Sequence, residues 1–367
     1  MAMSPEKESP NFLSNRCFII AEAGVNHNGR LDTALQLVDA AAEAGADAVK
    51  FQTFHADAVA TMAAPKAPYQ SGITESQIEM LRKLELTSEE HHALKAHAVT
   101  RSIEFMSTAF DLESVRFLST VMGITRAKIP SGEVTNGPYL LEVAQRAENV
   151  ILSTGMCTIE EIRSALSVIA FGLTSAIGTQ PSRADLEHTE ETGFAAFADR
   201  ITLLHCTSAY PTPIDEANLA AMDTIRDTFS LPVGYSDHTP GIAVSIAAVA
   251  RGAVVIEKHL TLDRFMPGPD HNASIEPDQF ASLVQGIRDV EQAIGSQEKT
   301  PTPSEIANMY AARRGLVAAK PILNGEVFTD ENITAKRPAA GLDPMRYWDL
   351  MGTIATMNYA EDDPIAG

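Results

Sequence analysis

The stretch CFIIAEAGVNHNGRLDTALQLVDAAAEAG, residues 17–45, decides the fold. Its first part, CFIIAEAG at 17–24, is a short apolar run that ends near polar residues, as a buried strand does. Its second part, LDTALQLVDAAAEAG at 31–45, repeats apolar residues at helical spacing, so the two together make one βα unit. Working outward, the unit recurs. Further strand candidates are ADAVKFQT at 46–53, IEFMST at 103–108, ITRAKIPS at 124–131, VILSTG at 150–155, ITLLHCTS at 201–208, LPVGYSD at 231–237 and AVVIEKHL at 253–260. Helical patterns separate them: SEEHHALKAHAVTR, DLESVRFLSTV and GPYLLEVAQRA, then 158–170, 216–229, 241–250 and 277–294. Eight strands alternating with helices predict a parallel (β/α)8 TIM barrel, an α/β fold. No GxGxxG opens the first helix, so an open dinucleotide-binding sheet loses its main support.

A barrel of this kind takes roughly 250 residues. The 367-residue chain therefore has room for one more small unit. The spacing predicts an N-terminal extension over 1–16, the barrel over 17–295, a polar, proline-containing linker over 296–312 and a small β-rich domain over 313–367. The segment 171–200, with the acidic run LEHTEE, precedes the sixth strand and reads as a surface excursion. A formal charge of −20 and the lack of a basic block argue against a nucleic-acid partner. The same field would repel an anionic substrate, which therefore needs a local cationic pocket. Three cysteines in apolar surroundings, Cys17, Cys157 and Cys206, read as buried free thiols of a reducing compartment. With no apolar leader in MAMSPEKESPNF and no run long enough to span a membrane, a cytoplasmic protein without a membrane partner is expected.

In a TIM barrel the catalytic groups gather where strands end and βα loops begin. His238 in GYSDHTPG and His259 in EKHLT end the seventh and eighth strands and so are neighbours on that face. Two imidazoles suit a divalent transition-type ion and leave positions open for water and a substrate oxygen. Lys50, Lys128 and Lys258, each at a strand end in apolar surroundings, are candidates for the cationic pocket. A buried lysine needs an anionic partner, so ion pairing with Glu22, Glu133 or Glu257 is the alternative, and for Lys258 it is the favoured one. Hydroxyls of Thr108, Ser131, Ser153 and Ser236 add neutral donors for phosphate or carboxylate oxygens.

At this point a resemblance becomes specific. IAEAGVNHNG (20–29), AVKFQTF (48–54), KIPSGE (128–133), LSTGM (152–156), LHCTSAYPTP (204–213), GYSDHTPG (234–241), EKHLT (257–261) and MPGPDHNAS (266–274) occur in the order found in the sialic acid synthase family. The chain resembles that family from about residue 17 to 295, and RRGLVAAKPILNGEVFT with ITAKRP resembles its antifreeze-like (SAF) domain. The resemblance implies an enzyme that condenses phosphoenolpyruvate with an N-acetylated amino sugar to a nonulosonic acid. N-acetylmannosamine and 2,4-diacetamido-trideoxyhexoses are the acceptors left open. It implies His238 and His259 as ligands of a Mn2+-type ion, with Mg2+ and Co2+ as alternatives. Lys50, Thr108, Lys128, Ser131, Ser153, Ser208 and Ser236 are implied at the phosphoenolpyruvate site, Ser208 standing where some relatives carry Asn. Gln52, Glu133, Tyr210 and Asp270 are implied around the sugar, and Glu22 near the reacting centre.

The chemistry so implied is attack of the enol ester C3 on the sugar aldehyde, capture of C2 by water and loss of phosphate, with Glu22 or Asp270 handling the water. Another phosphoenolpyruvate-dependent 2-keto-3-deoxy acid synthase is the enzymatic alternative, and a non-catalytic carbohydrate- or ice-binding module the non-enzymatic one. The resemblance further implies a domain-swapped homodimer in which Arg337 of ITAKRP reaches the sugar bound by the partner chain. A small domain with little core of its own, facing a barrel mouth that needs covering, gives that expectation its physical motive.

Overall fold

The computed structural model describes residues 16–61, 64 and 76–366; of the extension expected over 1–16, all but Arg16 lies outside the described residues. Eight strands form where the apolar runs stand: β1 (Phe18–Gly24), β2 (Ala48–Thr53), β3 (Glu104–Ala109), β4 (Arg126–Ile129), β5 (Asn149–Ser153), β6 (Ile201–Cys206), β7 (Val233–Asp237) and β8 (Val255–His259). They close into a barrel in chain order, with β8 pairing in parallel to β1.

Side chains alternate along each strand, and this sorts the sequence into two cores. Ile19 and Ala21 of β1 and Ile256 of β8 face outward into the large apolar layer between strands and helices. Phe18, Ile20, Ala48, Met106, Ile151, Leu204 and Val255 face inward and fill the barrel interior as a dry floor. The next inward residues along the strands are polar, among them Glu22, Lys50, Thr108, Lys128, Ser153 and Glu257. The functional layer therefore rests directly on an apolar plug.

The connecting helices bury their apolar stripes against the outer layer; Leu31–Glu43, for example, buries Ala34, Leu37, Val38 and Ala41. Capping boxes start several of them, including Thr87 with Glu90 and Thr158 with Glu161. DLESVRFLSTV is less regular than its pattern suggests: the helix Leu112–Arg116 widens into a π turn over Phe117–Val121, where Met122 N–H reaches back to Phe117 O. The excursion at 171–200 contains a helix, Arg183–Thr192, that buries none of its residues. Among the described residues no helix is long and apolar enough to cross a membrane.

The chain divides into two compact units, Met1–Gly295 and Ser296–Gly367. Within the second, the stretch expected as a linker contains a helix, Pro303–Ala312, none of whose residues is buried. Thr302 and Glu305 cap it reciprocally, with Pro303 at its first position. Beyond it, β9 (Gly315–Ala318) and β10 (Ile333–Lys336) pair antiparallel, and isolated bridges join Ile322 to Tyr359 and Val327 to Ile354. Leu316, Ile322, Phe328, Ile333, Tyr359 and Ile365 belong to a separate small core. Ile365 is tied into this unit: its N–H donates to Leu316 O, and Leu342 N–H donates to Ile365 O.

Candidate active site

The strand ends of the barrel converge on a cavity of about 360 Å3. Its lining includes Glu22, Lys50, Gln52, Thr108, Lys128, Ser131, Ser153, Ser208, Tyr210, Ser236, His238, Glu257, His259 and Asp270. At its centre is a buried charge cluster. Lys50 Nζ lies 2.5 Å from Glu22 Oε2 and 3.5 Å from Glu257 Oε2, and it donates to Thr108 Oγ1 at 3.0 Å. Lys128 Nζ lies 3.5 Å from Glu257 Oε1, which also accepts from Ser236 Oγ at 2.8 Å. Two ammonium groups thus share two carboxylates, and all four side chains are almost wholly buried.

Burial pushes the Glu22 carboxyl up to about 7, against the pull of Lys50 and with the push of Glu257. Burial would also raise Glu257, but Lys128 and Lys50 outweigh it and hold that carboxyl below the usual range. Lys50, which burial alone would lower, is raised by Glu22 and Glu257. Lys128 is lowered by burial. Glu257 is therefore the fixed counter-charge of the cluster, and Glu22 the carboxyl that burial makes the easier of the two to protonate.

A second group forms over Gly24. A Cβ built there would lie 3.3 Å from Glu22 Oε1, 3.5 Å from Gln52 Nε2 and 3.7 Å from Asp270 Oδ2, so these three polar atoms converge on one spot. Burial raises Asp270 to about 6. A third group forms around Gly155, whose N–H donates to Ser131 Oγ at 2.9 Å. A Cβ at Gly155 would lie 2.4 Å from Ser208 Oγ and 3.0 Å from both Ser131 Oγ and Cys206 Sγ. Only glycine lets these hydroxyls approach one another. The hydroxyl of Ser153 is buried with no partner among the described residues.

The rings of His238 and His259 stand 5.4 Å apart, with Tyr210 against both, 4.1 Å from His238 and 5.7 Å from His259. His238 Nδ1 is 2.9 Å from Thr207 O, which fixes the ring and leaves Nε2 directed elsewhere. His259 Nδ1 is buried without a hydrogen-bond partner among the described residues. Burial lowers His238 to about 4 and His259 well below its usual value, so both rings are neutral, the form that binds metal. Two neutral, adjacent imidazoles, one with an orphaned nitrogen, fit a divalent ion. Among the described residues no cluster of three or more His, Cys, Asp or Glu could cage one, so the remaining positions would fall to water and substrate.

Two expectations change. Lys258 lines no part of this cavity: strand alternation turns it outward, where it pairs with Asp237 at 2.9 Å. Its partner is thus none of the three glutamates considered for it. Glu133 sits on the one-turn helix Ser131–Glu133, accepts from Asn136 Nδ2 at 2.6 Å and is not among the lining residues, although Ser131 and Gly132 are. Arg337 is exposed at the end of β10 in the second unit. Glu257, considered from sequence only as an ion-pair partner, occupies the middle of the site. Its signal was its place two residues before His259, on the same face of β8. The apolar wall formed by Val25, Met80, Leu81, Leu84 and Phe110 had no such signal, because part of it comes from the short helix Gln77–Arg82 and the turn that follows it.

The sequence matches the NeuB family over residues 37–299 and the SAF domain over 313–367. It is 48% identical to N,N'-diacetyllegionaminic acid synthase of Campylobacter jejuni, over 95% of this chain and 99% of that one. It is 44% identical to the enzyme of the same name from Legionella pneumophila, over 95% and 93%. Among solved structures, the sialic acid synthetase of Leptospira borgpetersenii in complex with citrate superposes with a TM-score of 0.66 at 31% identity, covering 84% of this chain and 94% of that one.

Proposed function

The chain belongs to the NeuB family, and from that premise we propose that it is a nonulosonic acid synthase, condensing phosphoenolpyruvate with an N-acetylated amino sugar and water and releasing phosphate. The observation that carries this reading is the single cavity in which two buried lysines, a ring of hydroxyls and two neutral histidines meet. A trianionic enol phosphate needs the first two, and a sugar aldehyde needs the third.

In this reading Lys50 and Lys128, with Thr108, Ser131, Ser153, Ser208 and Ser236, hold the carboxylate and phosphate of phosphoenolpyruvate. Gln52, Tyr210 and Asp270 hold the sugar. His238 and His259 hold a divalent ion of the Mn2+ type, which when bound supplies Lewis-acid polarisation of the aldehyde oxygen. C3 of the enol ester attacks the aldehyde carbon, and the new alkoxide takes up a proton. Water adds to the electron-poor C2, and the C2–O bond to phosphate breaks as the ketone forms. With Glu22 near 7 and Asp270 near 6, either carboxyl can give or take these protons at neutral pH. Holding both substrates in register lowers the barrier by on the order of 7–11 kcal/mol.

The acceptor proposed is a 2,4-diacetamido-trideoxyhexose, in keeping with the two legionaminic acid synthases above. The proposed compartment is the cytosol. The enzyme is further proposed to act as a domain-swapped dimer in which Arg337 serves the partner's sugar site. An assay of phosphate release from phosphoenolpyruvate, run with 2,4-diacetamido-trideoxymannose and with N-acetylmannosamine, with Mn2+ and with chelator, tests the activity. Phosphate release that needs neither acceptor nor metal would overturn it. Co-refolding His238→Ala chains with Arg337→Ala chains tests the swap, since a mixed dimer regains one intact site. Proven heterodimers that stay as inactive as their parents would place the arginine in its own chain.

A further inference from the structure

Two dipeptides, Asp237–His238 and Lys258–His259, each set a charged residue beside an imidazole. Strand alternation turns the charged members away from the cavity, so neither reaches substrate. They meet instead behind the site, as register partners of β7 and β8, each 1% exposed. The carboxylate of Asp237 is fully used. Its Oδ1 accepts from Thr239 N–H at 2.8 Å and from Thr239 Oγ1 at 2.7 Å; its Oδ2 accepts from Ser245 Oγ at 2.5 Å and Lys258 Nζ at 2.9 Å. Lys258 Nζ donates a second bond to Thr239 O at 2.5 Å.

These bonds act on the residues flanking His238. Asp237 folds the backbone of Thr239 back on itself, and Lys258 reaches across from β8 to hold the Thr239 carbonyl. His238 has further ties: Thr212 N–H donates to its carbonyl at 2.8 Å, and Nδ1 meets Thr207 O. A buried ion pair contributes little net stability compared with apolar groups of the same volume, so stability alone does not account for its presence. Geometry does, because one ammonium group links the two strand ends that carry the two imidazoles.

We propose that Asp237 and Lys258 are positioning residues that set the placement of His238 relative to His259, and through it the affinity of the site for its divalent ion. This rests on the reading that the two histidines hold that ion. Outer supports of metal ligands typically change metal affinity or activity by about 10–100-fold.

The test measures Mn2+ binding to the full chain by the loss of the free-ion electron paramagnetic resonance signal, beside kcat and the KM for phosphoenolpyruvate. The variants are Lys258→Met, the charge-neutral double variant Asp237→Asn with Lys258→Met, and Ser245→Ala. The double variant is expected to keep its melting temperature, to weaken Mn2+ about 10–100-fold and to lower kcat, while the KM for phosphoenolpyruvate changes less than about threefold. Ser245→Ala, which keeps the ion pair and removes only one hydroxyl, is expected to show a smaller loss in the same direction. Wild-type Mn2+ affinity and kcat in both the double variant and Ser245→Ala would overturn the proposal and leave the pair structural. If His238→Ala also binds Mn2+ like the wild type, the histidine reading itself fails; if His238→Ala loses the ion and the other variants do not, only the positioning role fails.

Discussion

Replacing Glu257 by glutamine removes one charge from the centre of the site and almost none of its shape. The amide oxygen of the Glu257→Gln variant can still accept from Ser236, so the change isolates electrostatics. Glu257 lies 3.5 Å from Lys50 Nζ and 3.5 Å from Lys128 Nζ. At an effective dielectric constant of 20, each contact corresponds to about 5 kcal/mol of gross attraction, and desolvation offsets much of it. Loss of one partner from a buried pair nets about 3–5 kcal/mol of destabilisation. Lys50 keeps Glu22 in the variant, but Lys128 has no other carboxylate within 4.0 Å among the described residues. For a unit of this size, the melting temperature should fall by about 5–10 °C.

The effect on ligand binding should have the opposite sign. In the wild type an incoming phosphate meets lysines already neutralised by carboxylates. In Glu257→Gln it meets Lys128 unpaired and gains a charge-assisted contact of about 1.5–3 kcal/mol. Phosphoenolpyruvate titrated calorimetrically in EDTA, without acceptor, should therefore bind about one to two decades tighter, and its thermal protection should grow accordingly. An unchanged melting temperature together with unchanged or weaker binding would refute the assignment of Glu257 as the lysines' counter-charge.

Lys50→Ala should raise the KM for phosphoenolpyruvate by about one to two decades and the sugar KM far less, as steady-state kinetics will register; the reverse pattern would put Lys50 on the other substrate. Gly155→Ala should cost about 1–3 kcal/mol in urea unfolding and also weaken phosphoenolpyruvate, because the new methyl must push Ser208 or Ser131 aside. His27 is fully buried and lowered by burial to about 4 from its usual 6.5. Between those values the unfolded chain binds a proton that the native one refuses, so stability present above pH 6.5 is lost as the pH falls. From pH 7.5 to 5.0 the loss from this group is about 2 kcal/mol, and His27→Gln should show correspondingly less pH dependence in the same unfolding experiment.

The barrel was legible because its strands are short apolar runs closed by polar residues, and all eight appear where those runs stand. The histidine pair followed from the rule that strand ends carry the chemistry. What the runs do not reveal is their phase. In EKH all three residues are polar, and only the inward direction of Val255 shows that Glu257 and His259 face the cavity while Lys258 does not. Counting alternation back from the apolar floor would have found this. The helix Pro303–Ala312 was equally readable: TPSE holds a capping box and a proline at the first helical position. Its polarity and two prolines pointed to a linker instead. The wall built from Met80, Leu81 and Leu84 was beyond reach, since which cavity a short loop helix faces depends on closure of the whole barrel.

The apolar plug beneath the charge cluster has a consequence for the order of events. Phe18, Ile20, Ala48, Met106, Ile151, Leu204 and Val255 are each less than a tenth exposed, so among the described residues the floor they form is closed to solvent. The oxygen that becomes the C2 hydroxyl of the product must then enter by the same mouth as the substrates. If the mouth is covered during turnover, that one molecule of water is loaded beforehand and counted in with the reactants, and a site that closes empty of it holds a committed but idle pair.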